Sequence, residues 1–86
     1  MTNRNLAKAV EFAPLIERVH GANHPELTRV RELTEALPGA DRERTAHLFT
    51  ELRTVTGGYA VPADGCEAFQ ATYRALERAD RELTGA

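Results

Sequence analysis

The side chains that could do chemistry in this chain are few. His20, His24 and His47 are its histidines, and Cys66 is its single cysteine. Two histidines and a thiolate can hold zinc. His20, His24, Asp64 and Cys66 all fall at segment junctions that an antiparallel helical bundle would bring to one end, so their convergence is topologically possible. A metal there, zinc or iron, would activate water or bind a diatomic gas. Plainer roles compete with that one. His20 closes a helical pattern, where a protonated ring would be favoured by the dipole and could bond across a helix corner. His24 is explained as the neighbour of a helix start, and Cys66 as a small buried side chain. His47 lacks an Asp, Glu or His at helical ligand spacing toward the core, so it reads as a surface or half-buried histidine. Tyr59 and Tyr73 read as packing residues with a polar tip. No nucleophile–base pattern, phosphate loop or carboxylate pair stands out, and no catalytic residue is assigned. The reading leans away from an enzyme.

Four helical patterns must position these residues. The first runs from about Asn5 to His20, with Leu6, Ala9, Val10, Ala13, Ile16 and Val19 on one face and Phe12 and Leu15 widening it. Pro14 inside it removes a donor and clashes with the preceding turn, predicting a kink near Val10–Ala13 or a helix that begins close to Phe12. Gly21 is the expected left-handed C-cap. Asn23-His24-Pro25-Glu26 opens the second helix, which carries Leu27, Val30, Leu33 and Leu37 and stops at Pro38-Gly39 after about 13 residues, roughly 20 Å. Asp41 is the expected N-cap of the third, bearing Thr45, Leu48, Phe49, Leu52 and Val55 before Gly57-Gly58 ends it. Asp64 and Glu67 form a capping-box-like start for the fourth, whose seam is Cys66, Phe69, Tyr73, Leu76 and Leu83. Asp80 interrupts that seam, so the helix is expected to rotate there or to end in solvent.

Strand signals are absent. Short connections favour antiparallel neighbours, so the expected fold is all-α, a short up-down-up-down four-helix bundle formed by residues 1–86 as one domain. At 86 residues, 42% apolar and 28% charged, the chain is too apolar to be disordered and small enough to gain from oligomerisation. A net charge of −2 argues against a general nucleic-acid or anionic-membrane binder. One cysteine excludes an internal disulfide and a Cys-only metal site. No apolar run approaches the ~18 residues of a membrane span and no signal-peptide core is present, so a cytoplasmic location is expected. Ten of the eleven basic residues are Arg, as a GC-rich bacterial genome would give. The Glu/Arg-rich faces, Arg29-Arg31-Glu32-Glu35 and Arg74-Glu77-Arg78-Arg81, read as solvated surfaces with local ion pairs.

Two segments resemble a known family. Glu17-Arg18-Val19-His20-Gly21 with His24-Pro25-Glu26-Leu27 resembles the corner between the first two helices of hemerythrin-like proteins, closest to the di-iron proteins that repair iron–sulfur clusters. Leu52-Arg53 and Thr56-Gly57-Gly58-Tyr59-Ala60-Val61-Pro62-Ala63-Asp64-Gly65-Cys66 resemble the corner between their third and fourth helices, and Tyr73 continues the match. The resemblance spans most of residues 13–83 and implies the family's four-helix bundle. The family binds two irons through helix-borne His and bridging Glu residues at the opposite end. On this alignment the first-helix ligand would precede Met1, the second helix stops at Leu37 before its ligands, Arg42 stands near the third helix's His, and the chain reaches Gly85-Ala86 where the last ligands would begin. His20 matches a histidine at the metal-distal corner, so no ligand role transfers. The resemblance thus implies a hemerythrin-like bundle truncated at the metal end and without cofactor. It implies apolar helix ends around Leu6, Leu37, Thr45 and Leu83, and a binding or assembly role, regulatory in kind, as a homodimer or with a protein partner at the cut end. The alternative is a metal or small-ligand site at His20, His24 and Cys66.

Overall fold

The computed structural model describes residues 3–85. Among them the chain forms four helices, α1 (Arg4–His20), α2 (Leu27–Ala36), α3 (Arg42–Thr56) and α4 (Glu67–Thr84). They pack as an all-α four-helix bundle in which α1 lies between α2 and α4, and α3 closes the ring. Antiparallel pairing follows from side chains that meet across helices. Glu17 on α1 takes a bond from Arg31 on α2 at 2.7 Å. Asn3 and Asn5, at the start of α1, donate to Glu82, near the end of α4.

The core is the overlap of four apolar stripes. Ala9, Ala13 and Ile16 come from α1, Leu27, Val30 and Leu33 from α2, Leu48, Phe49 and Leu52 from α3, and Phe69, Tyr73, Leu76 and Ala79 from α4. Two small alanines on α1 let its backbone approach the others closely. On α4 the spacing of three and four residues keeps one face inward from Phe69 to Asp80, as a seam requires. No helix among the described residues is long and apolar enough to cross a membrane.

Several local expectations are corrected. The first helix does not begin at Phe12. Asn3 caps it, its Oδ1 accepting from the Leu6 amide at 2.9 Å, and the helix runs continuously through Pro14 to His20. Gly21 is right-handed, at φ −60° and ψ −30°, because the backbone coils on for another turn with the amides of Asn23 and His24 donating to the His20 carbonyl. The need for glycine there is spatial, since a Cβ would stand 2.4 Å from the Glu17 carbonyl oxygen. The first-helix face is narrower than its apolar pattern, because Leu15 is 41% and Val19 71% exposed while His20 takes the inward place at that end. α2 is 10 residues long, entered through backbone turns at His24–Glu26. α3 matches its local signals. Asp41 accepts from the Arg44 amide at 2.8 Å, and Gly57 (φ 64°) ends the helix left-handed, with the Gly58 amide returning to the Arg53 carbonyl.

α4 starts at an N-cap, Cys66, whose side chain makes no capping bond. The capping box expected from Asp64 does not form, because the Asp64 carboxylate is taken by His24.

Candidate functional site

The end of the bundle where α1 stops and α4 starts brings together the residues singled out for chemistry. Nε2 of His20 and Sγ of Cys66 lie 3.2 Å apart, sharing one hydrogen bond whose direction depends on the tautomer. Nε2 of His24 lies 2.8 and 3.0 Å from the two oxygens of Asp64, and Nδ1 faces Oε2 of Glu26 at 3.3 Å. Both imidazoles stand edge-on to the ring of Phe69, with centroids at 5.3 Å for His20 and 5.6 Å for His24, and Phe69 meets Tyr73 at 4.9 Å. One buried phenyl ring therefore orients both histidines toward the segment that leads into α4.

The convergence is real, but it is two separate pairs. Among the described residues no three His, Cys, Asp or Glu side chains are placed to share an ion. Each histidine turns its Nε2 to a protein partner, which gives His20 the corner hydrogen bond expected of it. Cys66 is exposed, not buried as expected, because it precedes the first turn of α4 and its side chain points out of the seam toward His20. The hydrogen bond from His24 holds the Asp64 carboxyl below the usual carboxylate range. His47 is exposed, on the first half of α3 beside Asp41, Glu43 and Arg44, remote from the other histidines.

A second buried polar group was not anticipated. Asp80, 3% exposed, accepts from Arg53 Nε at 2.7 Å and Nη2 at 2.6 Å, from the Tyr59 hydroxyl at 2.7 Å and from Thr84 Oγ1 at 2.7 Å. Asp80 itself is buried, and the helix ends in solvent beyond it, with Leu83, the next seam position, 44% exposed. At Asp80 an ion pair replaces the apolar contact. Burial pushes the Asp80 carboxyl up, and the bonds from Arg53, Tyr59 and Thr84 outweigh it and hold the group below its ordinary range. Tyr59 is drawn in from a left-handed backbone (φ 65°) that its amide steadies by donating to Thr56 Oγ1 at 2.8 Å. Its hydroxyl is pushed up by burial and by the neighbouring Asp80 charge. Arg53, in the last turn of α3, thus reaches the far half of α4, so the α3–α4 side of the bundle is a crossing and its thinnest side. The signal in the sequence was an acid standing at a seam position.

The opposite end is apolar and open. Leu6, Ala7 and Val10 of α1, Leu37 and Ala40 around the α2–α3 turn, Thr45 of α3 and Leu83 of α4 line a hollow of about 500 Å³. The four residues expected at the apolar helix ends, Leu6, Leu37, Thr45 and Leu83, are all in its wall. Leu83 is 44% exposed.

The charged helix faces are partly structural. Arg31 joins α2 to α1 through Glu17, and Arg29 joins α2 to α3 through Glu51 at 2.6 Å, while Arg31–Glu35 and Glu77–Arg81 are local pairs. Comparison with family models, curated proteins and solved structures finds no match to this chain.

Proposed function

We propose that this chain is a metal-free assembly module on a hemerythrin-like scaffold, and that two copies pair through the open end of the bundle. The observation that carries this reading is the hollow walled by Leu6, Leu37, Thr45 and Leu83. Leu83 is 44% exposed and Leu6 and Thr45 are half-buried around this hollow, so apolar surface there stays open to a partner.

A second copy is the occupant that fits. Leu83, 44% exposed, is part of the hollow's wall, so a two-fold axis through this end would set the same apolar patch against itself. The hemerythrin-like part of the reading draws support from the two motif corners lying against each other at the other end, joined by His20–Cys66 and His24–Asp64.

The test is light scattering with size exclusion at on the order of 10 μM, an ordinary range for dimers of modest affinity. Wild type runs as a dimer, and Leu83→Asp, which places a charge in the joint while leaving the core intact, runs as a monomer. A wild-type monomer at that concentration contradicts the reading. A second reading, a metal or small ligand at His20, His24 and Cys66, is favoured by their convergence. It is the weaker one because the donors already serve each other in pairs.

A further inference from the structure

The groove between α1 and α4 carries positive charge that folding leaves unanswered. Asn5 and Lys8 of α1 and Ala71, Arg74, Ala75 and Arg78 of α4 line one hollow of about 130 Å³, with no carboxylate among them. Elsewhere on the bundle arginines find acids. Arg29 takes Glu51, Arg31 takes Glu17, Arg53 takes Asp80, and Arg81, on the same helix, reaches Glu77. Lys8, Arg74 and Arg78 form no such pair among the described residues. The Lys8 ammonium stands 6.0 Å from the Phe12 ring centre, an attraction that leaves its charge in place. The acids nearby are not taken up by these cations. Bonds from Asn5 and Asn3 hold the Glu82 carboxyl low, with Arg78 adding only its field, and Glu67 shares the adjoining cleft with Arg74 without pairing to it. Arg74 and Arg78 stand one helical turn apart, a like-charged spacing that weakens a helix slightly. Ala71 and Ala75 between them are too small to fill the space.

We propose that this hollow binds a small oxyanion, a free phosphate or the phosphate group of a small ester, between Lys8 on one helix and Arg74 and Arg78 on the other. Guanidinium forks match the oxygens of such a group two at a time, and the ammonium adds a point charge from the opposite wall. A dianion seated there relieves the repulsion among the cations and meets no competing carboxylate. The volume is about four times the roughly 30 Å³ that one water takes in the liquid, which is room for a tetrahedral oxyanion. The chain as a whole carries a net charge of −2, so the attraction is local and falls off within a screening length. That suits a compact anion and not a polyanion. None of the residues lining this hollow lines the one at the open end, so the site does not depend on how two copies pair.

The test is an amide NMR titration of the full chain with inorganic phosphate at about pH 8, where a phosphate group carries close to two charges, with ionic strength held constant by sodium chloride. Amides of residues 5–8 and 71–78 are expected to shift and saturate with a Kd on the order of 1 mM. Arg74→Gln combined with Arg78→Gln is expected to weaken binding about tenfold, and Lys8→Gln, on the other helix, about threefold. Arg18→Gln, exposed elsewhere on α1, is expected to leave it unchanged. Should the double variant not fold by circular dichroism, Lys8→Gln carries the test alone. Leu83→Asp is expected to bind phosphate as wild type does, so failure of the pairing and failure of this site are read separately. Glycerol 3-phosphate binding tighter than phosphate supports the site with an ester as its ligand, and equal or weaker binding supports it with the free ion. Shifts that do not saturate, equal shifts with sodium chloride alone, phosphate binding unchanged by the substitutions in the hollow, or binding weakened by Arg18→Gln overturns the proposal.

Discussion

At Asp80 a carboxylate is almost sealed from water and stays ionised because Arg53, Tyr59 and Thr84 reach it together. Removing its charge leaves a guanidinium facing a neutral group. Asp80→Asn should cost about 2–3 kcal/mol by urea unfolding at neutral pH, below the upper range for a buried pair because the Arg53 side chain is 37% exposed. The pH sign follows from the depressed carboxyl. A group whose folded-state value lies below its unfolded one contributes fully above the ordinary carboxylate pKa of about 4, and loses that contribution as pH falls through the folded-state value. The stability gap between wild type and Asp80→Asn should therefore narrow in acid, and a gap unchanged at about pH 3 would contradict it. Phe69 is the other decisive residue, with His20, His24 and Tyr73 edges packed on its ring. Phe69→Ala should cost about 3–5 kcal/mol, and a loss under about 1 kcal/mol would remove it from the core. Phe69 was legible from its seam position. Two of the partners of Asp80, Arg53 and Tyr59, were not, because they lie 27 and 21 residues away and no local pattern encodes them.

Among the elements, legibility follows whether an end is set by its own neighbours. α3 is fully readable, since Asp41 caps the amide three residues on and Gly57 supplies the left-handed stop locally. Asp41→Ala should accordingly lower stability by about 1 kcal/mol, measured by thermal or urea unfolding, and no change would mean the cap bond does not form in solution. The start of α4 was misread where a distant group intervenes, and the C-cap of α1 falls in the expected place with a different hand. Asp64 has the spacing of a capping residue, yet His24, forty residues earlier in the chain, claims its carboxylate. Gly21 has the type of a left-handed cap, but the backbone turns that continue to His24 keep it right-handed. Pro14 does not start the helix, which Asn3 caps and the core face of Ala9, Ala13 and Ile16 holds.

At the scale of the molecule, the all-α bundle was readable because four apolar stripes with helical period must bury one another. His20, His24, Asp64 and Cys66 meet at one end as expected, since topology alone decides that. Their division into two pairs was not expected, because it depends on side-chain directions set by Phe69. That end is closed by paired polar side chains, and at the other Leu83 helps to wall a hollow of about 500 Å³. Pairing of two open ends is the central claim. Native mass spectrometry of the purified chain tests it most directly, because it reports copy number and any bound ion in one spectrum. The account predicts a metal-free species at twice the 9.5 kDa chain mass, reduced to the single chain by Leu83→Asp. A wild-type monomer, or a species carrying one or two metal ions lost on His20→Ala, would contradict it.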